Sequence, residues 1–440
     1  MRLLAEPDLT VLAADAPAAA PAAPAADDRA AWAPAYDAVR RRSVQLAAGL
    51  SAEDQGLQSM AETSPTKWHL AHPTWFFETL LLQAFAAGYQ PVDARWAPLF
   101  NSYYEALGPR HPRPQRGLLS RPSLNEVMAY RTRVDAAVHR FIAQADAAAW
   151  AAAEGTLLLA LHHEQQHQEL LLTDILHAFS LNPLRPAYAA TAAEAPAATA
   201  ANTTAPAGPG WQQVDGGPVS IGHAGAGFAF DNESPRHTVW LAPHELASRL
   251  VSNAEYADFI ADGGYRRPGF WLSDGWAMVQ AQGWQAPAYW LPAEPGHPGL
   301  PQQFSLHGVV PIDPAAPVAH LSGYEAAAYA AWAGARLPTE FEWEHAATGP
   351  GPLHQLFGAL WQWTSSAYAP YPGFRPLPGA AAEYNGKFMI NQLVLRGSSL
   401  ATPAGHARAS YRNFFPPGAR WQFSGLRLAR DLVAGAGAAR

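Results

Sequence analysis

The sequence predicts an α+β protein of two domains, a helical bundle followed by a domain of short strands. Segments with the apolar periodicity of helices run from residue 28 to residue 181. Residues 182–210 are rich in alanine, proline and threonine, which is typical of a linker. From Trp211 onward, short strand patterns, glycine, proline and scattered aromatic residues replace the long helical segments.

The helical half predicts an antiparallel bundle of four helices. One helix is expected from residue 28 to about residue 50, and a second follows residue 64. Two more are expected over residues 123–147 and 148–181. In the second half we expect two helices, over residues 252–262 and 323–333.

The predicted domain boundaries follow from these patterns. The bundle is expected over residues 28–181, the linker over residues 182–210, and the second domain over residues 211–433. Residues 1–27 end in Ala/Pro runs and are expected to be a disordered tail, and residues 434–440 form a second tail.

The composition of the 440-residue chain excludes several classes of function. The net charge of −7 gives no support for nucleic acid as a general partner. Cysteine is absent, which excludes disulfides, thiolate ligands and cysteine nucleophiles. No apolar run reaches the roughly 18 residues of a membrane span, and the first residues lack a signal-peptide pattern. We therefore expect a soluble, cytoplasmic protein without a membrane partner.

A histidine pair in the fourth predicted helix indicates a metal site. Residues 161–172 read L-H-H-E-Q-Q-H-Q-E-L-L-L, so His163 and His167 lie one turn apart on the same helix face. His162 points roughly 100° away around the helix. The flanking leucines predict a buried helix, and buried imidazoles need partners. A metal site is therefore favoured over structural histidines.

A third ligand is expected from the segment W-H-L-A-H-P-T-W at residues 68–75. His69 and His72 are three residues apart, so both could face the bundle interior. Pro73 is expected to make the backbone irregular just after His72, which favours His72. The residues alone do not choose between the two histidines.

The loop at residues 98–122 is longer than a usual helix connection and is therefore expected to be functional. Its arginines Arg110, Arg113 and Arg116 are candidates for binding a carboxylate in bidentate fashion. The alternative is that they cap helix ends or form surface ion pairs.

These motifs together resemble a known enzyme family. H-E-Q-Q-H with W-H-L-A-H-P-T-W-F-F-E resembles a DinB-like four-helix bundle. The second half, with R-L-P-T-E-F-E-W-E-H-A-A and L-W-Q-W-T-S-S, resembles the formylglycine-generating-enzyme domain, a variant of the C-type lectin fold. The pair in this order is similar to the sulfoxide synthases of ergothioneine biosynthesis, over roughly residues 35–431. Formylglycine-generating activity itself is excluded, because that chemistry uses cysteines.

The resemblance implies a non-haem iron(II) cofactor held by His72, His163 and His167. From the residues alone, three histidines would fit zinc equally well. Three protein ligands leave up to three positions on the metal for an imidazole, a chalcogen donor and dioxygen, and bringing the reactants to one metal replaces a three-body encounter.

The implied acceptor is hercynine, the trimethylated betaine of histidine. By resemblance, Gln166, Tyr384 and Asn413 lie where the family contacts this betaine. Phe414 and Phe415 follow Asn413 and could shelter its quaternary ammonium through cation–π contacts. The alternative for both phenylalanines is ordinary core packing.

The family also uses an active-site tyrosine near the iron. In one branch this tyrosine precedes the position of Tyr384, where this chain reads G-A-A-A-E-Y and offers none. In another branch it comes from an N-S-Y-Y-like loop, which Tyr103 and Tyr104 match. Because the two are adjacent, we expect at most one to point into a given pocket, and the sequence does not distinguish them.

The resemblance implies two classes of donor. Arg110, Arg113 and Arg116 could hold the carboxylate of a thiol donor such as cysteine or γ-glutamylcysteine. This chain has Gln362 where the family commonly has an acid, and Ser398 where glycine is common. These departures favour considering the sister branch of selenoneine synthases, which join a selenosugar to hercynine, on equal terms.

Two other classes of function remain open at this point. A metal-dependent thiol transferase of the DinB-like class would explain the histidines but leaves the second domain without a role. A lectin-like binding protein with a structural metal predicts that Tyr103, Tyr104, Gln166 and Asn413 need not converge on the metal site.

Overall fold

The structure, a computed structural model, describes residues 29–189, 210–225, 227–292, 301–351 and 353–432. The expected tail at residues 1–27, most of the expected linker and the tail at residues 434–440 lie outside these ranges. Helices of nine residues or more are numbered in chain order. No helix in the described ranges combines the length and the apolar character that crossing a bilayer requires.

The N-terminal part is a bundle of helices joined by loops and short helical turns. Its long helices are α1 (Arg29–Ala47), α2 (Thr66–Phe76), α3 (Leu124–Gln144) and α4 (Ala147–Ser180). Capping residues precede two of them: Ser123 and Glu126 form a capping box before α3, and Asp146 accepts from the Ala149 N–H at 2.8 Å before α4. Short turns lie at Asp54–Gly56, Ala94–Trp96, Ala97–Phe100, Glu105–Leu107 and Arg113–Leu118.

Helix α2 does not become irregular where the sequence predicted. Pro73 lies inside regular α-helix, and the chain changes to a π-helical segment only at Phe77–Leu82, before a last turn at Gln83–Phe85. The expectation that Pro73 distorts the backbone just after His72 is therefore wrong. His72 is held by a regular helix instead.

A buried ion network joins three helices of the bundle. Glu164 of α4 is 1% exposed and accepts from Arg40 of α1 at 2.7 Å and from Arg131 of α3 at 3.0 Å. Ser43 donates to the same carboxylate at 2.6 Å. Because Glu164 directly follows His163, this network also fixes the position of α4 at the centre of the bundle.

Replacing Glu164 by alanine is expected to lower the free energy of unfolding by about 3–5 kcal/mol, because buried Arg131 loses its ion-pair partner and buried Arg40 keeps only Asp135. Urea unfolding followed by circular dichroism measures this. The control is Asp37→Ala, which breaks an exposed pair with His139 at 2.9 Å and should cost less than about 1 kcal/mol. Equal losses in the two variants would show that the network does not stabilise the bundle.

The second domain contains four helices among its described residues, where the sequence predicted two. They are α5 (Asn253–Ala261), α6 (Ser273–Gln282), α7 (Gly323–Trp332) and α8 (Glu340–Thr348). Helices α6 and α8 were missed. Helix α8 carries a readable start signal, a capping box between Thr339 and Glu342. Five short 3₁₀ turns complete the helical part: Asp231–Glu233, Gly264–Arg266, Pro268–Phe270, Gly379–Glu383 and Gly386–Phe388.

The strands of this domain are short and form small sheets. In chain order they are β1 (Trp211–Val214), β2 (Gly217–Ile221), β3 (His237–Leu241), β4 (His244–Ala247), β5 (Trp290–Leu291), β6 (Gln302–Ser305), β7 (Gly308–Pro311), β8 (Trp361–Ala367), β9 (Leu393–Arg396), β10 (Asn413–Phe415), β11 (Ser424–Gly425) and β12 (Ala429–Asp431). Over the described residues the sheets have the orders β1-β4-β12, β10-β9-β8-β11, β2-β3 and β5-β6-β7. Pairs are antiparallel except β11 with β8.

Helix α4 also forms hydrogen bonds with the second domain. The Glu169 carboxylate accepts from Trp361 Nε1 at 2.7 Å, from Thr402 Oγ1 at 2.8 Å and from the Ser399 hydroxyl. Burial raises the pKa of Glu169, and the three donors oppose that rise. One face of α4 therefore meets the bundle, and another face meets the β8 and β9 region of the second domain.

Candidate active site

Three histidines from α2 and α4 converge at the centre of the bundle. One ring nitrogen each from His72, His163 and His167 lies within 4.8 Å of the other two. The Nε2 atoms of His72 and His163 are 3.1 Å apart. His72 and His163 are buried, and His167 is half-buried. The three predicted ligands therefore share one place.

The imidazoles of this cluster are neutral and can offer lone pairs. Burial lowers the pKa of His72 and of His167 well below the usual range, and the neighbouring His163 adds to both effects. Burial also lowers the pKa of His163, to about 3. Neutral imidazole is the form that binds metal ions, so the donor set fits a divalent metal.

Contacts around His72 fix its orientation. Its Nδ1 lies 2.6 Å from the Phe100 carbonyl oxygen, which accepts the Nδ1 proton and leaves the Nε2 lone pair facing the other two histidines. Trp68 stacks on the ring at 4.5 Å with an interplanar angle of 11°, and Trp75 lies at 5.6 Å on a nearly parallel plane.

The two remaining histidines near the cluster are not part of it. The Nδ1 atom of His69 lies 2.9 Å from Nδ1 of His167, but His69 does not belong to the group of three histidines. His162 points elsewhere on α4, as predicted: its ring stacks on Phe228 at 3.8 Å, and its Nδ1 lies 3.0 Å from Nδ1 of His406.

A polar chain across the domain interface begins beside the histidines. The Tyr384 ring lies 5.7 Å from the His163 ring, and the Tyr384 hydroxyl donates to Oε1 of Gln166. The Gln166 Nε2 group donates to the Tyr411 hydroxyl at 2.6 Å. The structure therefore brings together Gln166 and Tyr384, two residues that the resemblance implies.

The sequence reasoning missed Tyr411. It lies in S-Y-R-N-F-F, two residues before Asn413, but nothing in that text distinguishes a pocket tyrosine from a core one. Its partner Gln166 is 245 residues away in the chain. Only the docking of the second domain on α4 brings the two together.

Both tyrosines of the N-S-Y-Y loop point the same way. The rings of Tyr103 and Tyr104 stack at 4.6 Å, and the Tyr104 hydroxyl donates to the Tyr103 hydroxyl at 3.4 Å. The two rings therefore lie side by side, with Tyr104 buried and Tyr103 half-buried. The cause is a tight turn in which the Asn101 side chain accepts from the Tyr104 N–H at 3.0 Å.

This tyrosine pair lies near the cluster of His72, His163 and His167. The Tyr104 ring is 5.8 Å from Trp75 and 6.0 Å from Phe76, and the Phe76 ring is 4.2 Å from the His163 ring. Burial raises the pKa of both Tyr103 and Tyr104, so both keep their phenolic protons at neutral pH.

Two of the three loop arginines are engaged at the surface. Arg110 pairs with Glu105 at 3.0 Å, with both side chains largely exposed. Arg113 donates to the Glu62 carbonyl oxygen. These contacts match the alternative of surface ion pairs and caps.

Arg116 differs from the other two because it is buried. Its guanidinium carbon lies 3.5 Å from the centre of the Trp68 ring, which itself stacks on His72. It donates to the hydroxyls of Ser64 at 2.9 Å and Ser102 at 3.2 Å. Burial lowers the pKa of Arg116 to about 9. No acid lies within ion-pair distance of this cation among the described residues, and its Nε lacks a hydrogen-bond partner there.

The three residues of strand β10 are committed to local contacts. The side-chain oxygen of Asn413 accepts from the Phe414 N–H at 2.9 Å. Phe414 stacks on Tyr368 at 4.1 Å, and Phe415 meets Trp421 at 5.8 Å. The packing of both phenylalanines corresponds to the alternative of ordinary core contacts. Phe414 also lies 6.0 Å from Phe388, whose ring is 4.9 Å from the Tyr103 ring.

The two departures from the family text are likewise internal. Gln362 accepts from Trp343 Nε1 at 2.7 Å and from Arg427 Nε at 2.9 Å. The Ser398 hydroxyl accepts from the Gly358 N–H at 2.8 Å. Both side chains are buried and hydrogen-bonded within the second domain.

Family models match both halves of the chain. The DinB superfamily matches residues 35–171, and the sulfatase-modifying factor enzyme 1-like domain matches residues 196–352 and 350–432. These matches confirm the predicted two-domain fold, a DinB-like bundle followed by a formylglycine-generating-enzyme-like domain.

Curated relatives combine the same two halves. The hercynine oxygenase of Mycolicibacterium thermoresistibile is 33% identical over 416 residues, which is 84% of this chain and 88% of the relative. That of Mycobacterium tuberculosis is 32% identical over 415 residues, or 84% and 91% of the two chains. That of Mycolicibacterium smegmatis is 34% identical over 319 residues, or 62% and 71%. By these matches over both halves, the chain belongs to the hercynine oxygenase family of ergothioneine biosynthesis.

Proposed function

We propose that this protein is a non-haem iron(II), dioxygen-dependent enzyme that bonds sulfur or selenium to C2 of the imidazole ring of hercynine. The observation that carries the proposal is the position of Tyr384, whose hydroxyl donates to Gln166 while its ring lies 5.7 Å from the His163 ring. The hydrogen-bonded chain of Tyr384, Gln166 and Tyr411 thus begins beside His163. The names of the relatives, hercynine oxygenases, support hercynine as the acceptor.

His72, His163 and His167 would hold the iron through one ring nitrogen each. Three imidazoles leave further metal positions for substrates, and the bound iron would supply the activation of dioxygen that carbon–chalcogen bond formation requires. The protein contributes a dry site, since Trp68 and Trp75 cover the His72 ring on α2.

The betaine end of hercynine would lie along the Gln166–Tyr384–Tyr411 chain. Phe230 stacks near the Tyr384 ring at 5.4 Å and meets the Tyr411 ring edge-on at 5.5 Å, so the three aromatic rings pack together. Aromatic faces attract a quaternary ammonium group. We retain Gln166 and Tyr384 as contacts and add Tyr411, whereas Asn413 would first have to release the Phe414 N–H.

Replacing Tyr411 by phenylalanine is expected to raise the KM for hercynine roughly fivefold, because Gln166 loses its hydrogen-bond acceptor and one buried hydrogen bond is worth about 1 kcal/mol. Steady-state kinetics with hercynine as the varied substrate measures this. Tyr368→Phe is the matched control, because Tyr368 packs on Phe414 away from Gln166. An unchanged KM in the Tyr411 variant would remove Tyr411 from the substrate pocket.

Tyr103 would deliver the proton that the reaction needs. It accepts from Tyr104, so its own hydroxyl proton is free to be donated, and burial keeps that proton in place at neutral pH. Tyr104 would orient the Tyr103 hydroxyl through the hydrogen bond that it donates. The convergence of this pair and Gln166 near the histidine cluster argues against a lectin-like binding protein.

Arg116 would hold an anionic group of the donor. A buried guanidinium without an acid in ion-pair distance is costly unless a ligand supplies the negative charge. Its contact with Trp68 places it one ring away from His72. A thiol donor with a carboxylate would satisfy Arg116, and a selenosugar would do so through an anionic substituent.

Turnover with parallel donors tests the proposed function. The protein is loaded with iron(II) without oxygen, then exposed to air with hercynine and either cysteine, γ-glutamylcysteine or a selenosugar. Product mass identifies the bond formed. A sulfur adduct assigns a thiol donor, and a selenium adduct assigns the selenosugar. No adduct from any donor would contradict the proposal.

A further inference from the structure

A line of three buried or half-buried side chains starts at the histidine cluster and consists of His167, His69 and Asp174. His69 lies between His167 and Asp174: its Nδ1 is 2.9 Å from Nδ1 of His167, and its Nε2 is 3.0 Å from Oδ2 of Asp174. The same Oδ2 atom accepts from the Ser64 N–H at 2.8 Å. His69 is 4% exposed and Asp174 is 6% exposed, so water does not compete freely for these contacts.

With a neutral His69, the donors and acceptors in this line have one consistent arrangement. A carboxylate accepts, so His69 must donate its Nε2 proton to Asp174. A neutral His69 then presents a lone pair at Nδ1, and this atom can only accept from the Nδ1–H of His167. The remaining nitrogen of His167, Nε2, is left without a proton.

We propose that Asp174 and His69 act as positioning residues that hold His167 in the tautomer which presents Nε2 to the metal. The inference rests on the proposed function only in requiring that His72, His163 and His167 bind a divalent metal. His69 is therefore neither a ligand nor a mere packing residue.

The other two ligands have different support. The Nδ1 proton of His72 goes to a backbone carbonyl, that of Phe100. Nδ1 of His163 is buried without a hydrogen-bond partner among the described residues. Only His167 is held by side chains that a substitution can remove, which makes the Asp174–His69 line the accessible control point for the geometry of the site.

Two substitutions of His69 separate its two contacts. In His69→Asn the amide oxygen lies near the former Nδ1, so it can accept from His167. In His69→Gln the amide lies near the former Nε2, so the contact with Asp174 remains and the contact with His167 is lost. Both replacements are neutral amides of similar polarity, so each serves as the matched control of the other.

Affinity for iron(II), measured without oxygen, and for cobalt(II), measured by absorption, tests the proposal. We expect His69→Gln to weaken both metals about 10-fold to 100-fold, the usual cost of losing such a supporting contact, and His69→Asn to stay within about threefold of the unsubstituted protein. Equal affinities in the two variants would overturn the proposal. If the unsubstituted protein binds neither metal, the proposed iron function fails as well, which distinguishes the two failures.

A second readout needs no substitution and so does not depend on the folding of a variant. In the cobalt(II) protein, each ligand imidazole with a protonated Nδ1 gives a paramagnetically shifted proton NMR signal that disappears in heavy water. We expect a slowly exchanging signal from His167, because its proton is held by buried His69. Its absence from the unsubstituted protein would overturn the proposal, and its selective loss in His69→Gln would support it.

Discussion

Replacing His167 by alanine is expected to abolish stable metal binding and turnover together. Structural zinc sites with four ligands bind with about 10–16 kcal/mol, so one ligand is worth about 3 kcal/mol, or at least roughly 100-fold in affinity. The substitution also removes the partner of His69 Nδ1. Metal content after dialysis and the affinity for iron(II) without oxygen measure the loss.

The control for this prediction is His177→Ala on the same helix. His177 lies near the C-terminal end of α4 and contacts the Ser59 hydroxyl at 2.7 Å, away from the cluster. We expect this variant to keep its metal. Full iron occupancy in the His167 variant would show that the three histidines are not the ligand set.

Replacing Tyr103 by phenylalanine is expected to lower kcat by about 10²–10⁴-fold, the usual contribution of a positioned proton donor. Metal affinity and the KM for hercynine should remain unchanged, because the ring and its packing on Tyr104 and Phe388 are preserved. Stopped-flow and steady-state kinetics of the iron-loaded variant measure the effect.

The matched variant is Tyr104→Phe. Tyr104 only donates to Tyr103, at the long distance of 3.4 Å, so we expect a loss of kcat of about tenfold or less. The reverse order, with the larger loss in the Tyr104 variant, would assign the proton donor to Tyr104. Small losses in both variants would show that neither hydroxyl takes part.

The bundle helices and the histidine cluster were predictable because their signals are local. His163 and His167 lie on one face of any α-helix, and the apolar flanks place that face inside the bundle. The residues alone did not distinguish His72 from His69. A regular helix and the Phe100 carbonyl, and not Pro73, fix the orientation of His72.

The remaining parts of the site depend on contacts between distant segments. Tyr411 meets Gln166 across 245 residues, and Asp174 meets His69 across 105. No periodicity or spacing in a single sequence reports such pairs. The contacts of Tyr411 and His69 could therefore not be predicted from the sequence.

The three arginines of the loop at residues 98–122 have different environments that the sequence does not distinguish. Arg110, Arg113 and Arg116 are alike in the sequence, but Glu105 neutralises the first, a carbonyl oxygen engages the second, and Trp68 covers the third. Their separate fates depend on the fold of the loop. A cluster of arginines in a sequence thus predicts a cationic region but not which guanidinium group meets a ligand.

The most direct test of the account compares product formation from hercynine with and without dioxygen. The iron-loaded protein is mixed with hercynine and its accepted donor in a sealed vessel, in parallel with an aerated sample, and both are analysed by mass. We predict a C2-substituted product in the aerated sample only, with matching oxygen uptake. Equal product without oxygen would contradict an oxygen-dependent synthase and indicate a metal-dependent transferase.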